Sequence, residues 1–111
     1  MSSYIWGKHL WFSMHFIALG YPQKPSTENV RDYRNYFGNL HRTIPCTVCS
    51  FEYERILQEH PLDLSHLKDN ESLFRWTVDI HNMVNKKLNK QQMSQDDAWD
   101  FYNHPDIFNR N

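Results

Sequence analysis

The chain has 111 residues, of which 40% are hydrophobic, 23% charged and 15% aromatic; one domain over 1–111 with one core is the expectation, and collagen-like, low-complexity and wholly disordered classes are excluded. Twelve basic and 13 acidic residues leave a net charge of −1, so no overall field draws the chain to nucleic acid or anionic membrane. The apolar run from Leu10 to Leu19 contains Ser13 and His15 and is too short and too polar to span a bilayer; patterned sequence already begins at Trp6, so no secretory signal is expected.

The pattern is helical nearly throughout. A first helix is predicted from Trp6 to Leu19, with Gly7, Trp11, His15 and Ala18 on one side, ended by Gly20-Tyr21-Pro22. Ser26 or Thr27 can cap a second helix, in which Val30, Tyr33, Phe37, Leu40 and Ile44 recur in steps of three and four. Pro45 suits the first position of a third helix, whose inward face would hold Cys46, Cys49, Tyr53, Ile56 and Leu57 until His60-Pro61 ends it. Residues 61–69 read as a loop. Asn70 can cap a fourth helix to about Asn89, and Ser94 with Asp97 gives a capping-box-like start to a short fifth helix carrying Trp99 and Tyr102. No strand period persists. The fold class is all-α, a four-helix bundle with a short fifth C-terminal helix.

Cys46 and Cys49 are the only cysteines. A ring of about four residues is a poor staple, because even a 15-residue loop contributes only about 3 kcal/mol; chemistry is the better reason for a lone C-x-x-C. Three chemistries compete. Zinc could be held by Cys46, Cys49, His60 and His66, although Pro61 breaks the helix that would carry both histidines. A thioredoxin-type motif needs a βαβ pattern that is missing. The third is a dithiol centre at a helix N-terminus, where the dipole favours thiolate. A dithiol cannot regenerate itself, so it needs a two-electron acceptor, commonly a flavin.

The fourth helix bears on that choice. His81 and Asn85 lie one turn apart on an otherwise apolar face, and burying them unpaired would cost several kcal/mol. Either they bond to backbone and to each other, or they bond a polar ligand whose rings stack on nearby aromatics.

Three ordered blocks resemble a known family: Gly7-Lys8-x-x-Trp11-x-x-x-His15, then Pro45-Cys46-x-x-Cys49, then His81-Asn82-x-Val84-Asn85-x-Lys87-Leu88-x-Lys90. With Ala18-x-x-Tyr21-Pro22 and Trp76, the chain resembles the Erv/ALR family of FAD-linked sulfhydryl oxidases over residues 6–102. The resemblance implies a bundle holding FAD. Gly7, Lys8, Trp11 and His15 would form one cofactor-binding segment, and His81, Asn82, Val84, Asn85, Lys87, Leu88 and Lys90 another. Tyr53 would lie against the flavin, and Tyr102, or Trp99 if the loop shifts, would replace a family Trp. Cys46 and Cys49 would be catalytic, with Cys46 meeting substrate thiols and Cys49 nearer the flavin. Molecular oxygen would take the electrons as hydrogen peroxide, and a homodimer is implied.

The sequence departs from the family pattern at Lys8, where many members have Arg, at Gln91, where many have Pro, and in lacking any third cysteine. Without a shuttle pair, a thiol-bearing protein substrate, such as a small thioredoxin-like protein, must reach Cys46 directly. A chain so poor in cysteine is similar to the short forms encoded by large cytoplasmic DNA viruses, which implies action in host cytoplasm or virion. A helical adaptor or small zinc-binding protein is the competing reading.

Overall fold

The computed structural model describes residues 3–104, so the 1–111 domain bounds reach beyond the described residues at both ends. Five α-helices follow one another: α1 (Ser3–Leu19), α2 (Thr27–Asn39), α3 (Thr47–Glu59), α4 (Asn70–Lys87) and α5 (Gln95–Tyr102). Among the described residues no strand occurs and no helix is long and apolar enough to cross a membrane. The all-α bundle with a short fifth helix is the architecture expected.

The boundaries show where local chemistry overrides periodicity. Ser26 caps α2, accepting from the Asn29 amide at 3.1 Å while the Asn29 side chain accepts from the Ser26 amide at 2.9 Å; Asn stands in for the usual Glu of a capping box. The helix stops at Asn39 rather than continuing to Ile44. Gly38-Asn39 is weak helix sequence, and a 3-10 turn over Leu40–Arg42 carries the chain on, closed by the Thr43 amide on the Leu40 carbonyl. Leu40 remains buried, so the apolar spacing reports burial correctly although the α-ladder has ended.

Two caps are displaced from their expected positions, by two residues in α3 and by one in α4. Pro45 is not the first residue of α3: Cys46 is the N-cap, extended at φ −164°, and its Sγ accepts from the Cys49 amide at 3.3 Å. Asp69, not Asn70, caps α4, with its carboxylate accepting from the Ser72 amide at 2.8 Å. At its other end α4 finishes at Lys87, short of Asn89. Asn89 takes φ 54°, and the Lys90 amide reaches back to the Asn85 carbonyl at 2.8 Å, a six-to-one closure of the Schellman type. Ser94 caps α5 as expected, accepting from Asp97 N–H.

The core joins Met14 and Ala18 of α1, Phe37 of α2, Ile56 of α3 and Leu73, Phe74 and Ile80 of α4. Helices α1 and α4 run antiparallel: Trp11 meets His81, His15 meets Thr77, and Leu19 accepts from Asn70. The Tyr53 hydroxyl donates to the Phe37 carbonyl at 3.1 Å and ties α3 to α2. Arg75 ties α4 to Asp96 of α5 at 2.9 Å. The ends of α1, α3 and α4 are left apart, and a cavity opens between them.

Candidate functional site: a cavity with one thiol in its wall

The cavity has a volume of about 1220 Å³, above the roughly 300–1,000 Å³ typical of sites for small ligands. Helix α1 presents Gly7, Lys8 and Trp11 to it; α3 presents Cys49, Glu52 and Tyr53; α4 and the turn after it present His81, Val84, Asn85, Lys87, Leu88 and Lys90; Tyr102 closes the α5 side. The three blocks far apart in sequence therefore meet in one wall.

Three expected site residues lie elsewhere. His15 is only 2% exposed and stands behind the wall, touching His81. The amide group of Asn82 is turned to the Met93 backbone, donating to its carbonyl at 2.7 Å and accepting from its N–H at 3.0 Å. Cys46 does not line the cavity. The expectation that both thiols face inward is corrected for a physical reason: an extended N-cap residue lies off the helical face that Cys49, Tyr53 and Ile56 share. Trp99 packs on Phe74 with ring centroids 5.6 Å apart, so Tyr102 holds the cavity position.

The sequence reading also missed wall residues, among them Glu52, Arg55 and Val48. Glu52 was legible, since the spacing of Cys49, Glu52, Tyr53 and Ile56 is that of one helix face.

At one end of the cavity Trp11 and His81 stack with centroids 4.2 Å apart and planes 3° from parallel. His81 bonds His15 at 2.9 Å, and His15 bonds Thr77 at 2.8 Å. Burial, reinforced by the neighbouring ring of His81, lowers His15 to about 3. Burial and the charge of Lys90 lower His81 to about 4. Both rings are thus neutral at physiological pH. Burial pushes the Tyr102 hydroxyl up to about 12 and raises Tyr53 also, with the neighbouring Tyr36 adding to it.

Around the mouth, Lys8, Arg55, Lys87 and Lys90 supply cationic groups. Glu52 is the acid among them, 2.7 Å from Lys87 Nζ and 2.8 Å from the Arg55 guanidinium. Asn85 offers its amide to the cavity and makes no hydrogen bond from its side chain to any described group.

The thiols are free and polarised against each other. A hydrogen bond from Cys49, seconded by the Cys49 backbone amide, lowers Cys46; burial, seconded by the same bond to Cys46, raises Cys49. Cys46 is therefore the more acidic thiol of the pair and Cys49 the less acidic one.

A second cleft of about 710 Å³ holds His60 and His66 but neither cysteine. Among the described residues no group of three or more His, Cys, Asp or Glu is placed to hold a metal, so the four residues of the zinc reading do not converge.

The model of the Erv1 / Alr family matches residues 8–104. The chain belongs to the Erv1/Alr family. It is 36% identical over 98 residues to a probable FAD-linked sulfhydryl oxidase of Acanthamoeba polyphaga mimivirus, covering 88% of this chain and 68% of that protein. It is 27% identical over 101 residues to the mitochondrial FAD-linked sulfhydryl oxidase of Saccharomyces cerevisiae, of which it spans 52%. The crystal structure of the FAD binding domain of Erv1 from Saccharomyces cerevisiae superposes with a TM-score of 0.81 at 26% identity, covering 90% of this chain and 91% of that one.

Proposed function

We propose that the chain is an FAD-dependent thiol oxidase that forms disulfides in substrate proteins. The carrying observation is the division of the C-x-x-C across the cavity wall: Cys49 inside, Cys46 outside, within hydrogen-bond reach of each other.

The cavity suits FAD on its own features. Its volume admits a dinucleotide, the Trp11–His81 pair offers an aromatic surface, and four cations at the mouth complement a diphosphate. Gly7 lines the cavity one helical turn before Trp11, and Asn85 supplies an uncommitted amide. Lys8 and Lys90 would meet phosphate as point charges rather than as planar forks. FAD, when bound, accepts two electrons from the dithiol and passes them to molecular oxygen, yielding hydrogen peroxide.

The protein's own sulfur chemistry follows from the two environments. With Cys46 and Cys49 joined as a disulfide, a substrate thiolate attacks Cys46 Sγ; the new S–S bond forms there and Cys49 leaves as a thiolate that takes up a proton. A second substrate thiolate then attacks the substrate sulfur of the mixed disulfide and expels Cys46. The lowered Cys46 makes it a good leaving group for that step. The substrate has lost two electrons and the C-x-x-C has gained them, beside the cavity. Val48 and Phe51, 71% and 68% exposed in the first turns of the same helix, give the approach an apolar surface suited to a protein rather than to a small polar thiol.

By the same reading the substrate is a protein dithiol that reaches Cys46 without an intervening shuttle, a small thioredoxin-like protein being the fitting size, and the working unit is a homodimer. Similarity to a viral relative supports action in host cytoplasm or virion. A visible spectrum of the purified protein with and without dithiothreitol tests the core of this function. A flavin band that bleaches without air and returns with oxygen is the expected result. A sample that stays colourless after FAD is added overturns it.

A further inference from the structure

His15 stands behind the cavity wall and is linked to it by hydrogen bond through His81, and the placement of hydrogen atoms along this chain can be followed from its buried end. Thr77 Oγ1 lies 2.6 Å from the Phe74 carbonyl oxygen. Two oxygens so close need a hydrogen between them, so the single hydroxyl proton is donated there. The same Oγ1 is 2.8 Å from His15 Nδ1. Having given up its proton it can only accept, and His15 Nδ1 must carry a hydrogen.

His15 is neutral in this setting, so its Nε2 holds a lone pair. That atom is 2.9 Å from His81 Nδ1, which must therefore donate. A neutral His81 with hydrogen on Nδ1 keeps its lone pair on Nε2. Nε2 has no partner among the described residues, yet it is not a buried unpaired atom, and His81 lines the cavity. The relay therefore ends in an acceptor open to whatever the cavity holds.

We propose that Thr77 is a positioning residue for cofactor binding: through His15 it fixes His81 in the tautomer whose Nε2 accepts a hydrogen bond from an N–H or O–H group of bound FAD. The proposal rests on the FAD reading of the cavity. It assigns the His81 end to a donor-bearing part of the ligand, since phosphate oxygens bring only acceptors and belong with Lys8, Lys87 and Lys90.

Thr77→Val keeps the volume and removes the acceptor for His15 Nδ1. The proton of His15 then moves to Nε2 and is donated to His81 Nδ1, and the hydrogen of His81 appears on Nε2, facing the ligand as a donor. Thr77→Ser retains the acceptor.

The test is nitrogen-15 NMR of the histidine rings at neutral pH, read with FAD affinity from flavin fluorescence. In the FAD-loaded wild type, His81 is expected to show a pyrrole-type Nδ1 and a pyridine-type Nε2. Thr77→Val should exchange these signals and weaken FAD binding about tenfold, the effect of one hydrogen bond lost; Thr77→Ser should restore both. A pyrrole-type Nε2 in the wild type overturns the proposal, as does a Thr77→Val protein matching wild type in both readings. Should Thr77→Val not fold, the wild-type spectrum decides alone. A protein that takes up no FAD overturns the proposed function instead, while its His81 signals still test the relay.

Discussion

The backbone amide of Cys49 donates to Cys46 Sγ, so one redox thiol caps the helix that carries the other. Sulfur is a weak acceptor as a thiol and a much better one as a thiolate, and the helix N-terminus adds positive potential. Alkylation by iodoacetamide of the reduced protein should therefore label Cys46 well before Cys49. Cys49→Ala should slow labelling at Cys46, because the thiol donor that leads its stabilisation is gone. Equal labelling rates at the two sites would contradict the polarity.

Cys49→Ala should also retain FAD while losing turnover with dithiothreitol. Cys49 forms a small part of a large wall, whereas electrons leave the protein from its sulfur in the proposed chemistry. Flavin absorbance of the purified variant, set beside its oxygen consumption, gives both readings. Loss of flavin in a protein that still shows its helical circular dichroism would make Cys49 structural.

Glu52 lies among the cations at the mouth and holds Lys87 at 2.7 Å and Arg55 at 2.8 Å. An arriving diphosphate must compete with it. Exposed ion pairs contribute only about 0–1 kcal/mol, so Glu52→Gln should tighten FAD binding by a few-fold, and Lys87→Gln should weaken it. Both shifts should shrink as salt is raised. Titration of the FAD-free protein at two ionic strengths checks the sign and the screening together.

Stability should fall as pH drops below neutrality. The unfolded chain protonates both histidines near 6.5, whereas in the fold His15 and His81 stay neutral down to about 3 and about 4. Between about pH 6.5 and 4 the unfolded state binds more protons, so unfolding free energy rises with pH by up to about 1.4 kcal/mol per unit for each ring. Lys90 and Tyr102 also face the pair, and burial, which raises Tyr102 to about 12, keeps that hydroxyl neutral throughout the window. The lowered carboxyls of Asp63 and Asp69 add to the loss only below their ordinary pKa of about 3.9. Urea unfolding at pH 7, 5.5 and 4.5 and constant FAD concentration should show the slope; a flat profile would mean that the rings are hydrated in the fold.

Phe74 is fully buried and touches the rings of His15, Trp99 and Tyr102 at 5.6–5.7 Å. Phe74→Ala should cost about 3–5 kcal/mol and reduce FAD retention as well, since the filled space behind His15 is lost. Chemical denaturation with a parallel flavin spectrum measures both.

Much of this arrangement was legible in the residues. Steps of three and four placed the helices, and the serines at 26 and 94 marked two starts. Periodicity assigns a face but not a depth, which is why His15 was expected at the cavity with Trp11 and lies behind it. It also has no purchase on an N-cap, whose backbone leaves the helix: Cys46 shares the spacing of Cys49 and Tyr53 but not their direction. Asp69 and Asn70 are both good caps and adjacent, so sequence alone could not choose between them. Asn82 illustrates another limit, since its partner Met93 lies 11 residues away in an irregular segment.

The two hydrogen bonds between Asn82 and Met93 set where this segment tolerates a change of length. Together with the Lys90 closure onto Asn85, they anchor the link between α4 and α5 at both ends, leaving only Gln91 and Gln92 between the anchors. Gln92 borders the second cleft rather than the cavity. Added residues there would loop away from the cavity, so the link can lengthen without disturbing Lys90 or the start of α5.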